Sequence, residues 1–293
     1  MRGRESQRES VVHIEGLSFP ESLRWHDGAL WFTDLSTQRV MRAGGDGHVQ
    51  TVAELPDIPS ALGWTPDGRL LIVQAISRQL LRMDDSTLAV VADMSAHVTY
   101  RCNDMIVDRR GRVYVGNMGF DLGDPEAVPQ PGSILLVTPN GDVRIVADEL
   151  AFPNGMAITP DGQTLIVAES YAARLTAFDI TPDGSLVHPR TWASFAPSTT
   201  AGAEEVTPDG IALDAEGALW VASPGTRDVL RVREDDEITE RIPLGAIPLT
   251  CVLGGREGRT LFIATTESLD PSEAGAIGRI EAVEVAVPGV GLP

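Results

Sequence analysis

Short apolar runs, each bounded by Gly, Pro, Asp or Asn, recur along the whole chain, and their alternation has the two-residue period of half-buried strands. The clearest unit is Asn154-Gly155-Met156-Ala157-Ile158-Thr159, a turn at Pro160-Asp161-Gly162, and the strand Thr164-Leu165-Ile166-Val167-Ala168, a predicted β-hairpin. Asn154 stands eight residues before the turn glycine Gly162. The same interval links Ser60 to Gly68, Asn103 to Gly111, Asp209 to Gly217 and Thr250 to Gly258, while Glu21 stands seven before Gly28. Six hairpins thus each open on a polar side chain at matched height.

The six turn glycines are 40, 43, 51, 55 and 41 residues apart. A repeat of about 40–50 residues built of short strands indicates a propeller with one blade per repeat. Two more strand-like runs follow each of the first five hairpins, for example Ser133–Val137 and Val143–Val146 around Pro139-Asn140-Gly141. The sixth unit supplies only one, Gly278–Val285, and the run Val11–Ile14 is left to complete it. Closing the ring with both ends of the chain removes an exposed sheet edge. The expected fold is therefore all-β: a six-bladed β-propeller over residues 11–293, four antiparallel strands per blade, with residues 1–10 as a flexible tail.

In up-and-down topology the long connections Met118 to Gly132, Phe195 to Pro208 and Thr266 to Gly278 emerge on the face where the innermost strands begin. The polar ring and the long loops share that face, which is where a binding site is expected.

Composition narrows the setting. A net charge of −19 argues against nucleic acid, whose phosphates it would repel. No apolar run approaches the roughly 18 residues of a membrane span. The first ten residues lack the apolar centre of a secretory signal, and two cysteines not placed for a disulfide or a thiolate metal site make a reducing cytoplasm the expected compartment. Cys102 and Cys251 fall in different blades, which disfavours a disulfide between them.

Glu21, Asn103, Asn154 and Asp209 would bring two carboxylates and two amide oxygens to the axis. That all-oxygen, net negative set suits a hard divalent cation, Ca²⁺ foremost, with Mg²⁺ and Mn²⁺ as alternatives; Zn²⁺ also remains open. Asn and Asp are common at strand starts, so each alone also reads as a strand cap. Thr-Pro-Asp-Gly occurs four times, at 65–68, 159–162, 181–184 and 207–210, but only the last is followed by a strand and then a separate turn. Asp209 is thus in the ligand register, whereas Asp67, Asp161 and Asp183 are turn residues. Arg101, two residues before Asn103, should face the channel mouth and offers a fork for an oxygen-rich group, or a surface ion pair. His97 precedes the same strand and can overhang the site. The ends of the second strands carry Asp34, Gln74, Asn117, Glu169, Ser223 and Thr265, candidates to orient the metal ligands or plain strand-end polarity. No Gly-x-Ser-x-Gly elbow, His-Glu-x-x-His or phosphate-cradling glycine loop is present.

Glu21-x-x-x-Trp25, Arg101-x-Asn103-Asp104, Asn154-Gly155, Pro208-Asp209-Gly210 with Leu219-Trp220-Val221-Ala222, and Gly254-Gly255 together resemble the regucalcin/gluconolactonase propellers. The resemblance implies that Glu21, Asn154 and Asp209 hold the metal with Asn103 close by or ligating, that Arg101 and Asn103 contact substrate, and that Asp209 accepts a proton. It implies a metal-dependent hydrolase opening a lactone or related ester, acting on a small molecule. The alternatives are a phosphotriester hydrolase, a non-catalytic metal- or ligand-binding propeller, and a propeller lyase or synthase. Glu21-Ser22-Leu23 and Asn103-Asp104-Met105 depart from the family's Glu-Gly-Pro and Asn-Asp-Gly, which leaves the substrate open.

Overall fold

The computed structural model describes residues 8–44, 47–124, 126–195, 204–270 and 277–291. Among them 24 strands form six four-stranded antiparallel sheets arranged as the blades of a propeller. Blade 4 is typical, with strands Pro153–Ile158, Thr164–Glu169, Arg174–Ile180 and Leu186–Ser194 paired in that order. Blade 6 combines Ile247–Gly254, Thr260–Thr266 and Gly278–Glu284 with Val11–Leu17 from the start of the chain, paired antiparallel through Val11 and Ala282. The ring closes as the repeat count requires. Of the expected tail, residues 1–7 lie outside the described residues, while Arg8 pairs with Glu240 at 3.4 Å.

Hydrophobic burial explains why blades form. Second strands such as Leu70–Gln74, Val113–Asn117 and Leu219–Ser223 are buried at every position, because both their faces meet neighbouring sheets. Outermost strands such as Val49–Glu54 mix polar and apolar residues and have no fully buried position. Six apolar clusters result, one at each blade–blade interface. Ile166, Ala177, Leu219, Val221 and Leu230, for instance, lock blade 4 to blade 5. Two smaller clusters lie under the loops of the face where the innermost strands begin, one of them Met118, Phe120 and Phe152. Among the described residues no helix is long and apolar enough to cross a membrane.

The innermost strands are irregular at one level. The registers of five of the six first hairpins slip at the polar ring: between Glu21 and Arg24, Pro59 and Ala61, Cys102 and Met105, Pro153 and Met156, and Pro248 and Thr250. In each case the innermost strand carries one extra residue, a β-bulge that re-aims its side chains. In blade 5 the innermost strand is only Ile211–Leu213, so Asp209 stands just ahead of it rather than inside it. Its backbone still follows the ladder, since Asp209 N–H donates to Ala222 C=O at 2.9 Å and Ala222 N–H to Gly210 C=O at 3.0 Å.

At this level neighbouring blades touch through backbone. Gly155 N–H donates to Asp209 C=O at 3.2 Å and Gly210 N–H to Leu249 C=O at 2.9 Å, so inner edges that would be orphaned are satisfied. A Cβ on Gly155 would lie 2.5 Å from the Asp209 oxygen and 2.7 Å from the Ile211 nitrogen, both backbone atoms of the next blade. Gly155→Ala should therefore lower stability by about 1–3 kcal/mol, read as a lower urea midpoint with an unchanged denaturant slope.

Candidate metal centre and active site

The bulges bring the ring residues to the axis. Asn103 Nδ2 donates to Asn154 Oδ1 at 3.0 Å, and Asn154 in turn hydrogen-bonds the Asp209 carboxylate. Glu21 faces Asp209 closely enough for its charge to raise the Asp209 pKa. All four sequence-predicted ligands thus share one site at the mouth of the channel. Ser60, at the same height, donates its hydroxyl to Asn103 C=O at 2.9 Å, and Thr250 is buried against Gly210. These two support the ring from behind.

Supporting contacts fix the ligands through the backbone. Ser170 Oγ accepts from Asn154 Nδ2 at 3.3 Å and donates to Pro208 C=O at 2.7 Å, joining blade 4 to the segment that carries Asp209. The second-strand ends do not bond ring side chains; they hold the chain that enters the ring. Asp34 accepts from the N–H groups of Ser18 and Phe19, Asn117 donates to the carbonyls of Tyr100 and Arg101, Glu169 accepts from Ala151 N–H, and Ser223 from Thr207 N–H. These four anchor the incoming backbone rather than orient the ligands, while Gln74 accepts from the Ser77 hydroxyl and Thr265 donates to Glu281 within their own blades.

Two channel residues were given no role by the sequence, Asp104 appearing only within the Arg101-x-Asn103-Asp104 motif. Arg24 reaches from blade 1 to blades 2 and 3 and uses four of its five N–H donors: it donates to Leu62 C=O at 3.1 Å, Leu23 C=O at 3.0 Å, Met105 C=O at 2.8 Å and the Asp104 carboxylate at 2.7 Å. Plain alternation puts Arg24, three residues after Glu21, on the opposite face of its strand, and separates Asp104 from Asn103. The bulges at Glu21/Arg24 and Cys102/Met105 turn both inward instead. Ser22, where the resembling family has Gly, adopts φ 49°, and its hydroxyl accepts from Leu62 N–H at 2.9 Å. The cross-blade bond offsets the cost of a left-handed backbone at a non-glycine residue.

The electrostatics are unbalanced. Burial, then the neighbouring Asp104, push the Glu21 carboxyl up to about 7, against the Ser22 N–H and Arg24, which lower it. Burial, then Glu21 and Asp104, hold Asp209 well above the usual carboxylate range. Three carboxylates face one guanidinium, so full ionisation leaves two negative charges uncompensated. Among the described residues no three His, Cys, Asp or Glu side chains form a metal-binding group, so a centre here must pair carboxylates with amide oxygens. The charge excess and oxygen-only donors fit a divalent hard cation.

At the mouth, Arg101 is half-buried, its guanidinium lies against Gly123 of the long 118–131 loop, and it has no ion pair among the described residues. His97 is exposed on the same face. Both cysteines are buried, unpaired with each other, and have thiols pushed up to about 12 by burial, too protonated to act as nucleophiles. A cavity of about 420 Å³ opens on the opposite face around Arg109, Arg110 and Asp161 and includes none of the ring residues.

Residues 19–267 match the model of the family described as the SMP-30/Gluconolactonase/LRE-like region. The chain belongs to this family. It is similar to regucalcin of Xenopus laevis, with 26% identity over 88% of this chain and 86% of that protein. It is also similar to L-arabinolactonase of Azospirillum brasilense, at 24% identity over 82% and 78% of the two chains. Among solved structures, a calcium-binding regucalcin of Agrobacterium tumefaciens superposes with TM-score 0.77, at 20% identity, covering 98% of this chain and 97% of the other. The two folds superpose over almost the whole of both chains.

The raised Glu21 pKa has a definite sign. A carboxyl titrating above its ordinary value favours the protonated fold, so its contribution to stability is complete at acid pH and is lost as pH rises from about 4.5 through about 7. In chelator, Glu21→Gln should remove this loss and make the protein more stable than wild type above pH 7, on the order of 1–3 kcal/mol. Melting curves against pH check it; an unchanged pH profile would mean that Glu21 is not under charge strain.

Proposed function

We propose that the chain is a metal-dependent hydrolase that opens a lactone or related ester. The observation that carries this reading is the pair of charge-strained carboxylates, Glu21 and Asp209, flanked by Asn103 and Asn154 at the open end of the channel. Family membership, the lactonase of Azospirillum brasilense and the calcium-binding regucalcin support it. The two free buried cysteines suit the reducing cytoplasm assigned to it here.

Glu21, Asn154 and Asp209, with Asn103 beside them, would hold one divalent cation, Ca²⁺ first. Bound there, such a cation would polarise an acyl oxygen and acidify water. The chain's own residues do the rest. Arg101 and the Asn103 amide orient the substrate's oxygens at the mouth. Asp209, held in a proton-seeking state by burial and by Glu21 and Asp104, accepts a proton from the attacking water. Hydrolysis forms a bond from the water oxygen to the acyl carbon and breaks the ring C–O bond. The proton taken by Asp209 returns to the released ring oxygen, and the product is a hydroxy acid. Arg24 fixes Asp104 below the centre and limits the negative charge there.

Acid release from a panel of lactones, with chelator and then with Ca²⁺, Mn²⁺, Mg²⁺ or Zn²⁺ restored, tests the reading. Turnover should vanish in chelator and return with one cation. Asp209→Ala should lower kcat by at least about 10²-fold; near-normal turnover in this variant would remove Asp209 from the chemistry. Tight cation binding with no turnover on any ester or lactone would favour a binding protein.

A further inference from the structure

Large apolar side chains are exposed on this molecule in two places only among the described residues. Val11, Val12, Val90, Ile145 and Ile238 lie on outermost strands of blades. The other six, Ile76, Tyr100, Leu122, Val128, Tyr171 and Leu269, all lie in connections on the face that carries the candidate metal centre. Loops of the opposite face contribute none. Solvent-exposed loops gain nothing from such residues, so their restriction to the connections of one face marks that face as one made to meet apolar matter.

The rim has an ordered wall. Tyr171 is 54% exposed, yet its ring stacks on Phe152 with centroids 4.9 Å apart and planes 20° from parallel. Phe120 packs against both rings, at 5.9 Å from Phe152 and 5.8 Å from Tyr171. Phe152 and Phe120 are themselves buried, and Met118 fills the space beneath them. The open face of Tyr171 is therefore a rigid aromatic platform rather than a waving side chain. Its position is tied to the centre: Ser170, the preceding residue, bonds Asn154, and Tyr171 N–H donates to Ala151 C=O at 3.2 Å, three residues before Asn154. Phe152, two residues before Asn154, is held at φ 60°. The strained backbone turns its ring toward this wall rather than into a blade. The guanidinium of Arg101, which has no ion pair among the described residues, lies against Gly123 of the loop that also carries Phe120 and is the polar counterpart of the wall.

We propose that the Phe120–Phe152–Tyr171 wall and the apolar rim bind the hydrocarbon part of the substrate, so that the enzyme acts on lactones or esters bearing an alkyl chain or aryl ring in preference to polyhydroxylated sugar lactones. This rests on the hydrolase reading above for the reaction, but the binding site stands on the rim alone. A sugar lactone presents hydroxyl groups on most of its carbons, and a wall of aromatic and aliphatic carbon would strip their water without offering partners. An alkyl or aryl substituent gains from the same wall by burial, about 0.8 kcal/mol for each methylene fully covered.

Two measurements separate this proposal from the reaction it rests on. In the first, kcat/KM is measured with calcium for γ-butyrolactone, γ-caprolactone, γ-nonalactone, dihydrocoumarin and glucono-δ-lactone. It should rise by about two- to fourfold per added methylene, with dihydrocoumarin well above glucono-δ-lactone. Tyr171→Ser should flatten that slope and Tyr171→Phe should keep it. In the second, calorimetry follows binding of 5-pentyl-2-pyrrolidinone, the unhydrolysed lactam counterpart of γ-nonalactone, to the wild type and both variants. Binding lost in Tyr171→Ser but kept in Tyr171→Phe supports the wall even if no lactone turns over, in which case the hydrolase reading alone falls. Turnover with a flat slope, or with glucono-δ-lactone preferred, overturns the proposal and leaves the hydrolase intact. Tyr171-dependent sedimentation with phosphatidylcholine vesicles and no lactam binding would assign the rim to a lipid surface and overturn it as well.

Discussion

Three carboxylates and one guanidinium share the bore of this propeller, and the rest of the structure is arranged around keeping them there. Burial alone would drive Glu21 and Asp209 to take up protons or move apart. Neither can move, because the innermost strands are locked to one another by backbone contacts at Gly155 and Gly210 and by six apolar interfaces between blades. Hydrophobic burial over the whole ring thus offsets a local electrostatic cost at its centre. A hard dication is the natural counterweight to that charge, and Arg24 sets how much counterweight is needed. Without Arg24 the channel would hold three unopposed carboxylates.

The ring and its period were readable because a propeller repeats its constraints. Each blade needs a turn glycine at one end of its first hairpin and a polar group at the other, so the interval between them recurs as a sequence interval. Thr-Pro-Asp-Gly shows how far such reading extends. At 65–68, 159–162 and 181–184 the aspartate sits in a turn on the opposite face, beside a threonine hydroxyl that lowers its pKa. At 207–210 the same four residues place Asp209 in the bore, where burial and like charge raise it. Identical tetrapeptides acquire opposite acidities from position in the ring alone. That position follows from the turn that comes after Asp209, which is why it could be found without coordinates.

Arg24 and Asp104 were hidden for an equally specific reason. Strand alternation is a two-residue rule, and the inner strands break it at the very level of the site. A bulge is a matter of where one extra residue is stored against the partner strand, and nothing in Glu21-Ser22-Leu23-Arg24 announces it. Ser22 carries the left-handed backbone there with a hydroxyl bond to Leu62 in place of a glycine's freedom, so even the usual residue signal is missing. The second-strand ends Asp34, Asn117, Glu169 and Ser223 bond the backbone that enters the ring rather than ring side chains. Polarity at a strand end tells where a side chain stands and not which way its bonds point.

The aromatic wall and the charged bore are more than neighbours. A charge interaction in the mouth strengthens as water is removed from it, since the effective dielectric falls. An apolar substituent seated on Tyr171 would cover the side of the opening that lies over blades 3 and 4, the blades that supply Asn103 and Asn154. Binding energy gained from carbon that does not react would then be converted into stronger polarisation of the carbon that does. A sugar lactone, hydrated on every face, would leave the mouth wet. On this proposal the loops would have two separable tasks, to recognise hydrocarbon and to dry the centre, and one residue step, from Ser170 in contact with Asn154 to the exposed Tyr171, would couple them.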